Sequence, residues 1–275
     1  VADAHYDLDV DSGEEVIRRL QQNRDIDLMI VMGTYAGQVL AVDDHAVPVM
    51  VFATSDAVKS EIVETANDSG RDHVWAHVDP GRFVRQVEVF YDIFKFEKLG
   101  ILYIDDTFRR AFAAVEDVES VAFDRGFELI HHHKTFDPDH FDQYLEDVLK
   151  AHYNLAEEVD AMYVTTGAWQ LSMIHELLVP FYEKKIPVWS QVGSGEVRHG
   201  ALMSLARANY SGIGDFGAQT IAAVLHGIQP RQLSQYYGDS PSIAINLEVA
   251  RMIDYKPPFE ILLVADEVYQ RIERD

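Results

Sequence analysis

The chain has 275 residues, 48% of them hydrophobic and 25% charged, enough to bury one large core or two smaller ones. Its 23 basic and 46 acidic side chains leave a formal charge of −23, which repels phosphate backbones and anionic lipid and argues against nucleic-acid and membrane-surface partners. There is no cysteine, so disulfides, thiolate metal sites and cysteine nucleophiles are excluded, and no apolar run approaches the roughly 18 residues of a membrane span.

The opening VADAHYDLDV is strand-like and acidic rather than a signal peptide, as expected of a mature or trimmed chain. GEEVIRRLQQ (13–22) reads as an amphipathic helix, with Asp11 and Ser12 as cap candidates and Glu14 and Glu15 in its first turn. DLMIVMG (27–33) is a buried-strand run ending in glycine; TYAGQVLAVDD reads as a helix and VPVMVFA (47–53) as the next strand. HVWAHVD (73–79) is a short strand, followed by a helix predicted to begin at Pro80. KLGILYID (98–105) is a strand, and TFRRAFAAVEDVESVAFDRG one helix closed by Gly126. FELIHHH, DPDHFDQYLEDVLKAHYN, DAMYVTT, AWQLSMIHELLVPFYEKK, IPVWSQ and ALMSLARA continue the alternation, up to the glycine-rich helix that starts near Tyr210.

Short apolar strands separated by longer helices predict an α/β protein with doubly wound parallel sheets. The pattern restarts near residues 95–98, so two lobes are expected: 1–96 plus 208–230, and 97–207 plus 231–275. Ligands of such sheets bind outside the C-terminal strand ends. Those ends carry Gly33, Thr34, Tyr35 and Ala36; Ser55 and Asp56; Asp105, Asp106 and Thr107; Thr166, Gly167 and Trp169; Gln191; and Tyr210. Two such edges facing each other predict a polar cleft with aromatic walls, suited to a small polar or zwitterionic molecule.

Gly212, Gly214 and Gly217 spell G-x-G-x-x-G, the dinucleotide fingerprint, but its context is wrong. Too little chain follows for a nucleotide-binding half, and the next strand, SIAIN, ends in Asn246 rather than an acid. His131, His132 and His133 follow one another on a strand and so cannot converge on one metal; His73 and His77 also sit in a strand. Asp105 and Asp106 fit either a helix cap or a grip on a cation. There is no nucleophile elbow and no phosphate loop, and no histidine is placed beside Ser55 and Asp56. Tyr35, Trp169, Trp189 and Tyr210 are aromatic candidates for stacking on a ligand. No catalytic residue, metal or cofactor is predicted.

The last third of the chain reads GALMSLARANYSGIGDFGAQTIAAVLHGIQP, SIAINLEVARMI and LLVADEVYQ. Within it, Tyr210, Gly214, Leu225, Gly227 and Pro230, then Asn246, Leu247 and Ala250, then Ala265 to Val268 resemble the motifs of the ABC-transporter substrate-binding family, whose members bind aromatic or other amino acids. MGTYAGQVLA, VPVMVFATSDAV, KLGILYIDD and IPVW resemble the family's other strands and turns. The resemblance implies a type I periplasmic binding protein fold, two lobes joined by a hinge and closing on a ligand. It implies a periplasmic or extracellular location and an ABC permease or membrane receptor as partner. By the same resemblance the helix start near Thr34 takes an anionic group, Asp56 or Asp106 a cationic one, and Tyr35 or Trp169 forms the wall. Gly214 is expected to allow close packing of its helix.

Three departures stand out. The family's first strand and helix have no counterpart here. The turn Thr166-Gly167-Ala168-Trp169 lacks the family's acid, and so does the loop SQVGSG. The leading expectation is a non-enzymatic solute-binding protein or receptor sensor domain. The alternatives are a doubly wound enzyme acting on a nucleotide or sugar, and a cytosolic regulator with a ligand-binding core.

Overall fold

The computed structural model describes residues 12–22, 26–104, 107–167, 169–206, 210–238 and 242–274. The chain divides into two compact units: residues 1–80 with 209–238, and residues 81–208 with 239–275.

The first unit is built from α1 (Ser12–Gln22), β1 (Met29–Met32), α2 (Thr34–Leu40), β2 (Val49–Phe52) and β3 (Val74–Ala76). The three strands form one parallel sheet in the order β1-β2-β3. One core contains Val16, Leu20, Leu40, Val49, Val51 and Ile62. Gly37 lies on the inner face of α2, where a Cβ would come within 2.8 Å of Val51 and 2.7 Å of Ile62, so only glycine lets this helix lie so close to β2.

The second unit opens with α3 (Arg82–Phe94), β4 (Lys98–Ile104), α4 (Thr107–Phe112), α5 (Val115–Arg125) and β5 (Glu128–Lys134). It continues through α6 (Phe141–Leu155), β6 (Ala161–Val164), α7 (Ile174–Leu177), α8 (Val179–Glu183), β7 (Val188–Ser190), α9 (Ser194–Arg198) and β8 (Met203–Ala206). The chain then returns to the first unit as α10 (Tyr210–Leu225), and ends in the second with β9 (Ser242–Asn246), α11 (Leu247–Met252), α12 (Phe259–Val264) and β10 (Ala265–Tyr269). Seven strands make one sheet in the order β10-β9-β8-β7-β6-β4-β5, parallel except at β8–β9. β6 and β7 are buried throughout, as expected of strands covered on both faces, while the edge strands β5 and β10 alternate in exposure.

The structure moves the predicted lobe boundaries. Helix α3, expected in the first lobe, belongs to the second unit, because Val87 and Phe90 pack into its core and Phe90 lies 5.2 Å from the Trp189 ring. Residues 231–238, expected in the second lobe, stay with the first. There the Ser234 carbonyl accepts from Trp75 Nε1 at 2.8 Å, and Gln235 Nε2 donates to the Thr65 carbonyl at 2.9 Å. The helix predicted to start at Pro80 starts after Gly81, whose left-handed φ of 69° turns the chain into it. The single helix predicted before Gly126 is two, broken where Ala114 takes a φ of 52°. The helix predicted over AWQLSMIHELLVPFYEKK is likewise split, with Pro180 inside the first turn of its second part.

Close packing, expected at Gly214 of the rejected fingerprint, falls instead to Gly217. Gly214 faces open space, with nothing within 4 Å of a Cβ built there, so it does not serve close packing. A Cβ at Gly217 would lie 2.6 Å from Phe52 Cε1. Phe52, Trp75 and Phe216 form a run of ring contacts at 5.2 and 5.9 Å that fastens α10 to its sheet. Gly217→Ala is therefore expected to lower the unfolding free energy by roughly 1–3 kcal/mol, whereas Gly214→Ala raises it by up to about 1 kcal/mol through helix propensity. Urea denaturation of both variants beside the wild type measures the two opposite signs.

Candidate functional site

In the first unit the predicted residues gather at the C-terminal edge of the sheet. Gly33 ends β1 with φ +94°, a conformation that costs other residues strain, and its N–H donates to the Phe52 carbonyl at 2.8 Å. Thr34 is buried, and its Oγ1 accepts from the Ser55 N–H at 3.1 Å, so it clamps the turn after β1 to the turn after β2. Tyr35 is exposed and Ala36 half-buried beside it. Asp56 caps the following turn: Oδ1 accepts from the N–H groups of Val58 and Lys59, each at 3.0 Å. The carboxylate that sequence reading offers to a cation is thus engaged by its own backbone, a cap of the kind Asp favours.

In the second unit, β4 is flanked by β5 on one side and β6 on the other, so the strand order reverses there, the place where open sheets receive ligands. Thr107 is the first residue of α4; Asp105 and Asp106 lie outside the described residues. Gln191 is 2% exposed and uses both ends of its amide: Oε1 accepts from the Thr166 N–H at 2.9 Å, and Nε2 donates to the Phe112 carbonyl at 2.9 Å. Its own carbonyl accepts from Gln86 Nε2 at 3.3 Å, and Gln86 Oε1 in turn accepts from the Tyr163 hydroxyl at 2.9 Å. Gln191 is thus a strut beneath the edge, with Thr166 exposed above it.

Trp169 is half-buried and packs against Gly167, where a Cβ would collide with the indole ring. Its Nε1–H donates to Glu196 Oε1 at 3.4 Å. Ser190 Oγ donates to Glu196 Oε2 at 2.6 Å and accepts from the Gly193 N–H at 3.0 Å. Sequence reading saw no acid in this loop; Glu196 follows SQVGSG directly and turns inward, 3% exposed. A glutamate in the first turn after a glycine loop reads as a solvated helix end, so only the fold reveals it. Trp189, a candidate stacker by sequence, is fully buried in the core. Tyr210 is the first residue of α10, in the first unit. On the edge strand β5 the three histidines alternate: His131 and His133 flank the Tyr103 ring, and His132 turns toward Glu158. Among the described residues no group of three metal-ligating side chains forms, and no helix is long and apolar enough to cross a membrane.

Both units carry their polar and aromatic residues at strand C-terminal ends, and the sheets are those of a type I periplasmic binding protein. Solved structures share this architecture. An ABC domain from Streptococcus pneumonia in complex with L-Trp is 20% identical, with 93% of this chain and 86% of that one covered at a TM-score of 0.70. A substrate-binding protein with adhesive properties from Clostridium difficile, ligand-free and open, is 20% identical over 96% and 84% at 0.72. A LacI family transcriptional regulator from Bifidobacterium animalis is 10% identical over 84% and 81% at 0.59. No curated protein matches the sequence. The sequence model of the family described as ABC transporter substrate binding protein matches residues 9–269, and this chain belongs to that family.

Burial pushes the Glu196 carboxyl up to about 7, against the opposing pull of its hydrogen bonds from Ser190 and Trp169. Below the ordinary value of 4.5 the group is protonated in folded and unfolded chains alike. Between there and about 7 the folded chain binds the extra proton, so stability falls as pH rises through this window, by about 3 kcal/mol in all. Glu196→Gln removes the titration and keeps an acceptor for the indole. The unfolding free energy of the variant minus that of the wild type is expected to grow by up to about 3 kcal/mol between pH 4.5 and pH 8, read from urea curves across the range.

Proposed function

We propose that this chain is an extracytoplasmic solute-binding protein or sensor domain that captures a small polar ligand and, in its closed form, is read by an ABC permease or a membrane receptor. The observation that carries the reading is that the family match at residues 9–269 runs through both units, each of which has candidate ligand residues at its strand C-terminal ends. In this reading the first unit contributes the turns Gly33–Ala36 and Ser55–Asp56, and the second contributes Thr107, Thr166, Gly167 and Trp169, with Gln191 holding the edge in register. Tyr210, Asp105 and Asp106 remain proposed contacts from their places in the sequence. The chain binds and releases without turnover, and the permease or receptor responds to the shape that ligand binding selects.

Ligands that bind only the folded state raise its melting temperature, with about 2.7 kcal/mol added at a concentration of one hundred times Kd. A thermal-shift screen against amino acids and small metabolites is expected to yield a stabilising compound, and Trp169→Ala to weaken that shift. A screen in which no small molecule stabilises the chain would sink the reading, and turnover in a hydrolase or dehydrogenase panel would favour an enzyme instead.

A further inference from the structure

A buried carboxyl is costly unless it is hydrogen-bonded or paired with a cation. Glu196 has hydrogen bonds from Ser190 and Trp169, and among the described residues no cation is a cause of its shifted titration. The charged and titratable side chains around α9 are engaged elsewhere. Arg198 pairs with Glu273, His199 Nδ1 meets the Gly195 carbonyl at 2.8 Å, and Tyr269 of β10 hydrogen-bonds Glu267. The Tyr163 hydroxyl of β6 donates to Gln86 of α3, and Tyr163 feels the charges of Arg82 of α3, Asp117 of α5 and Glu196 itself.

The other half of the pair is an aromatic ring. Trp169 is half-buried where Glu196 is almost wholly enclosed, so the indole is the part that a ligand reaches. A ring face attracts cations through its quadrupole, and an N–H donating to a carboxylate adds electron density to that ring. The ring is also fixed in place, since Gly167 leaves it room that any side chain would take. Asp56, the described alternative for holding a cation, caps its own turn.

We propose that Trp169 and Glu196 together make this edge selective for a ligand carrying an organic cation, an ammonium or guanidinium group seated on the indole with the Glu196 carboxylate as its counter-charge. The inference rests on the reading above that this edge holds the ligand. It assigns the positive end of the ligand to the second unit. Glu196 acts through Trp169 and is a specificity-setting residue rather than a contact. A seated cation favours the ionised carboxylate, so binding releases a proton near neutral pH and affinity rises from pH 6 to pH 8.

The test uses matched pairs of probes: choline and 3,3-dimethylbutan-1-ol, and tryptamine and tryptophol. Titration calorimetry on the whole chain at pH 6, 7 and 8, in two buffers of different ionisation enthalpy, reads affinity and proton release together. In at least one pair the cation is expected to bind on the order of tenfold more tightly than its neutral partner. Glu196→Gln is expected to shrink that preference and abolish the proton release, and Trp169→Leu to weaken the cation more than the neutral probe. Circular dichroism and the melting temperature check that both variants fold. Cation and neutral partner binding within twofold, or an unchanged preference in Glu196→Gln, overturns the inference. So does a broad thermal-shift screen whose only hits carry no ammonium or guanidinium group, an outcome that leaves the proposed function standing. A screen with no hit of any charge removes the function reading itself.

Discussion

The buried amide of Gln191 is the contact on which the edge of the second unit depends. One side chain holds the loop after β6 through the Thr166 N–H and the end of α4 through the Phe112 carbonyl. Its backbone meets α3 through Gln86, which also takes the Tyr163 hydroxyl. These donors and acceptors lie in a region closed to water, where a lost partner leaves an unsatisfied group that costs about 1–3 kcal/mol. Loops at strand ends are ordinarily the pliable parts of a fold. Here they are pinned from below, so the exposed groups above them keep their positions.

A second constraint comes from the parallel sheets. β6 and β7 are buried on both faces, so the accessible polar groups stand in the turns at their ends. In the first unit those turns are joined by Thr34 and Ser55. In the second they hold an indole and an inward-turned glutamate, which Ser190 at the end of β7 also meets. Family membership and fold explain why the residues stand at these ends.

The alternation of short apolar runs and longer amphipathic ones made the α/β class and nearly every strand legible, because burial on both faces leaves an unbroken apolar signature. The breaks were not legible. Ala114 adopts a left-handed conformation with no glycine to announce it, and local pattern continues across it. Lobe boundaries were misplaced because helix α3 shows the same apolar stripe whichever core it joins; only Phe90 meeting Trp189 decides. At the candidate site, residue type does not reveal what each group bonds to. Asp56 and Thr34 look like ligand groups and serve the backbone, while Glu196 looks like a surface acid and is interior. Glycine spacing misled in the same way, since Gly217 and Gly214 differ only in what stands opposite.

The passage of the chain between units has a bearing on its synthesis. Residues 81–208 emerge with β4 to β8 of the second unit's sheet, whereas the first unit has only residues 1–80 and waits for 209–238. Trp75 receives its hydrogen-bond partner from Ser234, 159 residues later, and its ring neighbour Phe216 arrives only shortly before. Closing a loop of that length costs entropy before any contact rewards it. A nascent chain therefore carries a three-stranded sheet with one face bare while the later domain is already condensing. The apolar face of Met50 and Trp75, covered in the finished protein by Val224 and its neighbours, is the surface that a ribosome-bound chain must keep from sticking elsewhere.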